Sequence, residues 1–149
     1  KSLSNFKIKD LERSLRVNSI IPIYIIKKLV PSMVRHKFGR ILQTSSIGVK
    51  FGGGKNTFNY SISKKINEFI PRDNKIWSSK NVLMNTLVIG VTDTKIHKKI
   101  SNKNIKLRKK LIPMKRFATT SEIAKYIYFL ASEKNTFISG QVLSISGGE

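Results

Sequence analysis

Tyr60-Ser61-Ile62-Ser63-Lys64 is the stretch of this sequence that says most about its fold and its chemistry. Residues four apart in a helix lie on one face, so the phenol of Tyr60 and the ammonium of Lys64 are predicted to be neighbours. An ammonium beside a phenol stabilises the phenolate, which makes the phenol a better proton donor at neutral pH. The pair therefore predicts a tyrosine that exchanges protons with a substrate. The spacing alone is weak, because any helix can carry it by chance.

Polar residues upstream strengthen this interpretation. The run 40–46 predicts a buried strand that ends at Ser45 and Ser46. A serine hydroxyl at the end of that strand could hold a carbonyl oxygen while Tyr60 protonates it. Asn18 lies further back, within a pattern of helical periodicity. The order of asparagine, paired serines after a strand, tyrosine and lysine makes a proton-transfer site a much stronger prediction than the spacing alone.

Hydrophobic periodicity and turn residues divide the rest of the chain into alternating helices and strands. Pro22 and Pro31 are expected to kink the first helix or to mark its turns. Thr119 and Glu122 form a capping box, which predicts the start of a helix. The predicted order begins with helix 10–36, strand 40–46, a glycine-rich loop and the helix that carries Tyr60, whose apolar positions include Phe69 and Ile70. Strand 82–88, a basic stretch 94–111 with helical pieces, a helix from 119, and strand 141–145 follow. This alternation predicts an α/β fold with parallel strands.

Length and composition narrow the class of protein. A chain of 149 residues is long enough for one domain with a hydrophobic core and too short for two ordinary domains. It has no cysteine, so disulfides and thiolate sites are excluded and a reducing compartment is compatible. His36 and His97 have no partner at the spacing of metal ligands, so no metal site is predicted. The most apolar run, 20–26, is followed at once by Lys27 and Lys28, so no membrane span is predicted.

The formal net charge of +21 raises the question of a nucleic-acid partner. The lysines are scattered along the whole chain and no recognisable nucleic-acid motif accompanies them, so such a partner is not expected. A solvated, lysine-rich surface is the favoured interpretation. A polyanion or an acidic protein as partner is the alternative.

The motifs, in this order, resemble the short-chain dehydrogenases/reductases in their common single-domain form. The resemblance covers nearly the whole chain. It is carried by Val17-Asn18, Gly39-Arg40-Ile41, Ser45-Ser46, Tyr60 with Lys64, Asn85 with Gly90 and Thr94, Arg116-Phe117, Glu122-Ile123-Ala124, Gly140-Gln141-Val142 and Gly147-Gly148.

The resemblance implies a Rossmann-like, doubly wound parallel sheet and hydride transfer between NAD or NADP and a carbonyl or alcohol substrate. It implies that Tyr60 is the general acid in reduction and the general base in oxidation. It implies that Lys64 assists the proton loss of Tyr60 and hydrogen-bonds the ribose of the cofactor. The second serine of the pair, Ser46, would hold the substrate oxygen. Asn18 would fix a water that relays protons to Lys64.

The resemblance also assigns cofactor contacts and exposes departures. Tyr60 and Lys64 would border the cofactor, and the backbone around Gly90 and the hydroxyl of Thr94 would contact the nicotinamide carboxamide.

The sequence departs from the family pattern at two positions. Ile89 stands where the family usually has proline. Pro71 falls inside the long catalytic helix of the family, where it should cost about 3 kcal/mol or bend the helix.

The largest departure concerns the N-terminal side. Nothing before Ser46 resembles the phosphate-binding glycine motif, and the N-terminal strands of the family are also missing. Residues 1–149 are therefore expected to be the C-terminal, catalytic part of a single Rossmann-type oxidoreductase domain, with an open edge on its sheet. We expect this chain by itself to bind cofactor very weakly and to show no turnover.

Within the family, the tail of the chain most resembles the 3-oxoacyl-acyl-carrier-protein reductases and related sugar or alcohol dehydrogenases. The basic loop 95–110 stands where the family has its substrate lid, and a lysine-rich lid favours a small carbonyl substrate bound to an acidic carrier protein, or a phosphorylated one. The resemblance implies a cytoplasmic enzyme that forms a homo-oligomer at full length. An inactive truncated homologue and a basic module that binds polyanions are the alternative hypotheses.

Overall fold

The computed structural model describes residues 2–54, 56–95 and 102–149. Its helices are α1 (Ile8–Leu15), α2 (Ile21–Arg35), α3 (Phe58–Ile66), α4 (Asn74–Ser78), α5 (Asn102–Leu111) and α6 (Thr120–Ala131). Its strands are β1 (Gly39–Ser46), β2 (Val82–Ile89) and β3 (Val142–Ile145). A π-helical turn, Arg16–Ile20, joins α1 to α2, and a 3₁₀ turn, Ile47–Val49, follows β1.

The three strands form one parallel sheet in the order β1-β2-β3. Ser46 is the register partner of Ile89, and Ile89 is the register partner of Ile145. The carboxyl ends of the strands therefore lie in one row across the sheet. The predicted α/β fold with parallel strands is confirmed, and β1 is an edge strand among the described residues.

Helices cover both faces of this sheet. On one face Val30 of α2 packs with Ile41, Val82 and Met84 of the strands to form the core. Neighbouring residues of a strand point to opposite faces, so Arg40 points away from that core. The Arg40 guanidinium donates to the carbonyl oxygen of residue 135, just after α6, at 2.9 Å. Helices on both faces are the arrangement of a doubly wound sheet.

The segments α1, the π turn and α2 follow one another without a break, and the helical winding changes at the π turn. Pro22 has no N–H to donate to the carbonyl of Asn18, four residues back. The π turn lies at this point, and the N–H of Ile21 donates to the carbonyl of Arg16, five residues back. Pro31 lies inside α2, so the helix predicted at 10–36 runs through both prolines.

The helical stretch Ile8–Arg35 is long and apolar enough, by length and composition only, to cross a bilayer, with a mean hydropathy of 1.3 over an 18-residue window. No span is predicted from the sequence, because two lysines follow the most apolar run. In the structure Val30 is buried in the core beneath the sheet. The hydroxyl of Ser19 donates to the backbone of α3. These contacts attach the helix to the sheet and to α3.

The helix of Tyr60 is shorter than predicted. The expectation that Phe69 and Ile70 continue it, and that Pro71 lies inside it, is wrong, because α3 ends at Ile66. The backbone then forms tight turns, and Phe69 is 72% exposed. The residue before a proline is biased away from helical conformation, which accounts for a break near Pro71. The carbonyl of Asn67, left without a helical donor, accepts the hydroxyl hydrogen of Thr86 instead.

The C-terminal elements follow the predictions closely. The capping box forms as expected: Thr119 Oγ1 accepts the N–H of Glu122, and Glu122 accepts the N–H of Thr119. Part of the predicted basic stretch forms α5. Residues 96–101 of that stretch lie outside the described residues.

Candidate active site

The two serines at the end of β1 point to opposite faces, and only one is available for chemistry. Ser45 is 3% exposed, and its hydroxyl donates to Glu68 Oε1 at 2.8 Å. Ser46 Oγ accepts the N–H of Gly48 at 3.2 Å, which orients the hydroxyl and leaves its hydrogen for another acceptor. This difference favours Ser46 over Ser45 as the residue that holds a substrate oxygen.

Tyr60 and Lys64 share one face of α3, as their spacing predicts. The Lys64 Nζ lies 5.8 Å from the centroid of the Tyr60 ring. Tyr60 is 42% exposed, and no described side chain hydrogen-bonds its hydroxyl. The phenol is therefore open to a ligand, with a positive charge at its side.

Lys64 is held by a residue that the sequence analysis does not identify. Its Nζ donates to the carbonyl oxygen and to the hydroxyl oxygen of Thr44, both at 3.1 Å. Asn67, one turn further along the chain, donates to the same carbonyl at 3.1 Å. Burial lowers the pKa of Lys64, because desolvation disfavours its charged form. Thr44 lies two residues before Ser46, so β1 orients both the serine and the lysine.

Asn18 reaches the catalytic helix through a serine of the motif. Its Nδ2 donates to Ser63 Oγ at 3.0 Å, and Ser63 Oγ donates to the carbonyl of Tyr60 at 2.8 Å. Ser19 Oγ donates to the carbonyl of Ser63 at 2.8 Å. The π turn thus brings two consecutive side chains onto α3. Asn18 and Lys64 also line one cleft of about 360 Å³, but a water relay between them stays a prediction.

Gly90 lies directly after the end of β2, beside the row that contains Ser46. Its N–H donates to the carbonyl of Ile145 at 2.8 Å. A Cβ atom there would lie 2.7 Å from the Cα of Ser146, so only glycine fits this close approach of β3. Thr94 is half-buried four residues further on. That Gly90 and Thr94 contact a nicotinamide therefore remains an expectation from the sequence.

A second charged pair lies near this edge but serves a structural role. Arg116 and Glu122 form two hydrogen bonds, at 2.8 and 2.6 Å, in a cavity of about 240 Å³ that Gly90 also lines. The hydrogen bonds from Arg116 and from the backbone of Thr119 lower the pKa of Glu122 to about 2.

Among residues 2–54, 56–95 and 102–149 no group of three or more His, Asp or Glu side chains is placed to bind a metal ion.

Four candidate residues could be named from the sequence, whereas the side chains that hold them could not. Ser46, Tyr60, Lys64 and Asn18 lie on β1, α3 and the π turn that docks on α3. Thr44 lies twenty residues before Lys64, and no spacing rule connects them. Ser63 was within the quoted motif, yet its link to Asn18 depends on helix packing that periodicity does not specify.

A family model described as enoyl-(acyl carrier protein) reductase matches residues 1–149. The 3-oxoacyl-[acyl-carrier-protein] reductase FabG of Buchnera aphidicola is 30% identical over 141 residues, which cover 94% of this chain and 57% of the relative. The same enzyme of Aquifex aeolicus is 31% identical over 140 residues, covering 93% and 56%.

Solved structures of 3-oxoacyl (acyl-carrier-protein) reductases and other proteins are similar to this chain. The 3-oxoacyl (acyl-carrier-protein) reductase of Agrobacterium tumefaciens with NADP bound has a TM-score of 0.86 and 26% identity, and the match covers 100% of this chain and 59% of that one. ElxO with NADP bound has a TM-score of 0.86 and 27% identity, covering 99% and 60%. The chain thus spans about three fifths of the length of the proteins it matches.

Proposed function

The chain belongs to the short-chain dehydrogenase/reductase family, and we propose that its protein transfers hydride between NAD(P)(H) and a carbonyl or alcohol substrate. The observation that carries this proposal is the placement of Tyr60 and Lys64 on one face of α3, with the Lys64 Nζ 5.8 Å from the Tyr60 ring and tied to β1 two residues before Ser46. The Tyr60–Lys64 pair is therefore held beside β1, which ends at Ser46 on the carboxyl edge of a parallel sheet, where α/β proteins bind their ligands.

In the reducing direction Tyr60 gives its hydroxyl proton to the carbonyl oxygen of the substrate as the carbonyl carbon receives a hydride. Ser46 donates its hydroxyl hydrogen to the same oxygen, which stabilises the negative charge that develops there. The ammonium of Lys64 stabilises the phenolate that remains. In oxidation the phenolate of Tyr60 takes the proton of the substrate hydroxyl as hydride leaves the carbon, and Ser46 keeps its own hydrogen.

A nicotinamide cofactor supplies or accepts the hydride when bound. The donor set fits such a group: a lysine ammonium has three hydrogens, and Thr44 takes two of them, so one remains for a ribose hydroxyl. Gly90 and Thr94 follow β2 at the same edge and are the proposed contacts of the carboxamide. Two solved relatives with NADP bound support this class of cofactor.

The test is NADPH-dependent reduction of a 3-oxoacyl thioester by the protein that carries this chain at its full natural length. Tyr60→Phe should lower kcat by a factor of about 10²–10⁴, the usual contribution of general acid–base catalysis, and leave NADPH binding nearly intact. Tyr128→Phe is the matched control, because Tyr128 is exposed on α6 and should leave turnover unchanged. Full activity of Tyr60→Phe would contradict the proposal.

We infer that the substrate is bound to an acidic carrier protein, as the names of the curated relatives suggest for those proteins. The net charge of +21 and the lysines in the last turn of α5, Lys109 and Lys110, support this. Arg108 in the same turn is paired with Glu149. Added salt screens such attraction, so it should raise KM for a carrier-bound substrate and leave KM for a short free thioester unchanged. An equal response of both substrates would count against the carrier.

The 149 residues tested alone are a separate question. We propose that they bind NADPH weakly and turn over no substrate, because about two fifths of each curated relative has no counterpart in them. Calorimetric titration with NADPH measures this directly. Micromolar affinity would show that the matched part holds a complete cofactor site.

We further propose that the full-length protein is cytoplasmic and forms a homo-oligomer. Analytical sedimentation of the full-length protein measures its oligomeric state.

A further inference from the structure

The loop between β1 and α3 connects two residues that, in the proposed reaction, must reach the same oxygen atom. Ser46 ends β1, and Tyr60 lies in the first turn of α3. Both hydroxyl groups have to contact one carbonyl oxygen, so the end of β1 and the start of α3 need a fixed relative position. Residues 47–54 form the first part of the loop that sets this position.

Gly48 takes part in two hydrogen bonds of this loop. Its N–H donates to Ser46 Oγ at 3.2 Å, which orients the serine hydroxyl. Its carbonyl oxygen accepts the N–H of Gly53 at 2.8 Å, which closes the loop. A displacement of Gly53 would therefore move Gly48 and, with it, the N–H that orients Ser46.

Gly53 lies directly against the first turns of α3. Its φ of +82° is in the left-handed region that favours glycine. A Cβ atom there would lie 2.8 Å from Ser61 Oγ and 3.2 Å from the carbonyl oxygen of Thr57, whereas ordinary Cβ contacts begin at 3.4 Å. Ser61 is 4% exposed, so its side chain is enclosed beneath the loop. Only a residue without a side chain lets the loop come this close to α3.

We propose that Gly53 is a positioning residue for the proposed hydride transfer. It lets the loop close on Ser61, which holds Gly48 where its N–H orients the hydroxyl of Ser46. The proposal rests on the proposed function, in which that hydroxyl stabilises the charge that develops on the substrate oxygen. Because the charge is largest in the transition state, a misplaced Ser46 should slow turnover more than it weakens substrate binding.

The test is NADPH-dependent reduction of a free 3-oxobutanoyl thioester by the full-length protein. Gly53→Ala should lower kcat about tenfold and leave KM nearly unchanged, the pattern of an interaction made in the transition state. Gly52→Ala is the matched control, because Gly52 also has a positive φ, +69°, but its Cβ would have no atom within 4 Å. Its kcat should stay near that of the unmodified protein. An equal loss in both variants would assign the effect to backbone strain and overturn the proposal.

A second substitution assigns the loss to the contact with Ser61. Ser61→Ala removes the oxygen atom nearest to the added Cβ, and among the described residues that hydroxyl has no hydrogen-bond partner. The double variant Gly53→Ala/Ser61→Ala should therefore regain most of the kcat lost in Gly53→Ala, measured against Ser61→Ala alone. Absence of recovery would overturn the proposal, because a general loss of loop structure would not depend on Ser61.

The amide proton of Gly48 gives a readout that needs no turnover. In the NMR spectrum of the full-length protein, Ser46→Ala shows where this signal lies without its acceptor. Gly53→Ala should move the signal towards that position, and Gly52→Ala should not. An unmoved signal in Gly53→Ala would overturn the proposal.

Two further measurements keep the result unambiguous. If circular dichroism shows that Gly53→Ala is unfolded, Ser61→Cys takes its place, since the larger sulfur atom enlarges the surface beneath Gly53 with the loop sequence intact. It should lower kcat in the same way, and an unchanged kcat would overturn the proposal. Tyr60→Phe is measured in parallel: its loss of turnover with full activity of Gly53→Ala overturns the role of Gly53 alone, whereas full activity of Tyr60→Phe overturns the proposed function as well.

Discussion

The ammonium of Lys64 lies 3.1 Å from two oxygens of the same residue, the carbonyl and the hydroxyl of Thr44. Burial lowers the pKa of Lys64, whereas these hydrogen bonds favour its charged form. A lysine that must stay charged beside a phenol needs such acceptors when it is half withdrawn from water. Thr44 is thus a positioning residue, which acts on the reaction only through Lys64.

Thr44→Val should lower the pKa of Lys64 further, because the hydroxyl acceptor is lost while the shape of the side chain is kept. Thr44→Ser retains the hydroxyl and is the matched control, so its effect should be small. The measurement is NMR titration of the lysine side chains into the alkaline range, with Lys64→Arg to assign the signal. An unchanged titration in Thr44→Val would show that the carbonyl alone holds the ammonium.

Ser63 and Ser61 offer a second test, because they are two residues apart in α3 and both are buried. Ser63 Oγ accepts from Asn18 and donates to the carbonyl of Tyr60. Ser63→Ala leaves both partners without that hydroxyl and should lower the free energy of unfolding by about 1–3 kcal/mol. Within the part of the chain that the structure describes, the hydroxyl of Ser61 has no hydrogen-bond partner, so Ser61→Ala should be neutral or stabilising.

Urea denaturation followed by the fluorescence of Trp77 measures both variants under the same conditions. If Ser61→Ala costs as much as Ser63→Ala, the loss comes from packing and not from the link to Asn18. In the full-length protein the same link positions Tyr60, so Ser63→Ala should lower kcat more than it changes KM.

The parts of the fold that could be predicted are those set by local pattern. The strand that ends at Ser46 follows from its apolar run and the turn after it. The start of α6 follows from Thr119 and Glu122, whose reciprocal hydrogen bonds lie within four residues. Tyr60 and Lys64 meet because helix geometry alone brings positions four apart together.

The parts that could not be predicted depend on contacts between distant segments. Periodicity suggested that Phe69 continues the helix, whereas the chain turns away before Pro71 and the carbonyl of Asn67 is taken by Thr86 from β2. The contact of Lys64 with Thr44 crosses from helix to strand, and the close approach of Gly53 to Ser61 becomes visible only once the loop is placed on α3. Such features follow from packing, which one sequence without its fold does not specify.

Acid should weaken the start of α6 through Glu122. Its pKa is lowered from 4.5 to about 2 by the hydrogen bonds from Arg116 and Thr119, so its contribution to stability is present above pH 4.5 and is lost as the pH falls towards 2. Glu122→Gln can keep the capping box but cannot titrate, so its unfolding free energy should fall less over that window. The contribution is modest, because the side chains are exposed and solvent screens them.

Glu133→Gln is the control for this acid titration, since Glu133 is exposed just beyond the other end of α6. Its unfolding free energy, measured by urea denaturation between pH 5 and pH 2, should parallel that of the unmodified chain. If Glu122→Gln also runs parallel, the ion pair with Arg116 adds no stability in solution.

Gly90 decides the shape of the candidate site at the end of β2. A methyl group there would lie 2.7 Å from the Cα of Ser146 and 2.9 Å from the carbonyl oxygen of Ile145, both of them backbone atoms that cannot rotate away. Gly90→Ala should therefore push β3 from β2 at the carboxyl edge and lower the free energy of unfolding by about 1–3 kcal/mol, as overpacking does. Gly54→Ala is the matched control, because the nearest atom to its Cβ would be Thr57 Oγ1 at 3.5 Å, an ordinary contact. Urea denaturation compares the unfolding free energies of the two variants. In the full-length protein, NADPH binding should weaken only in Gly90→Ala. Equal NADPH affinity of the two variants would show that this edge does not contact the cofactor.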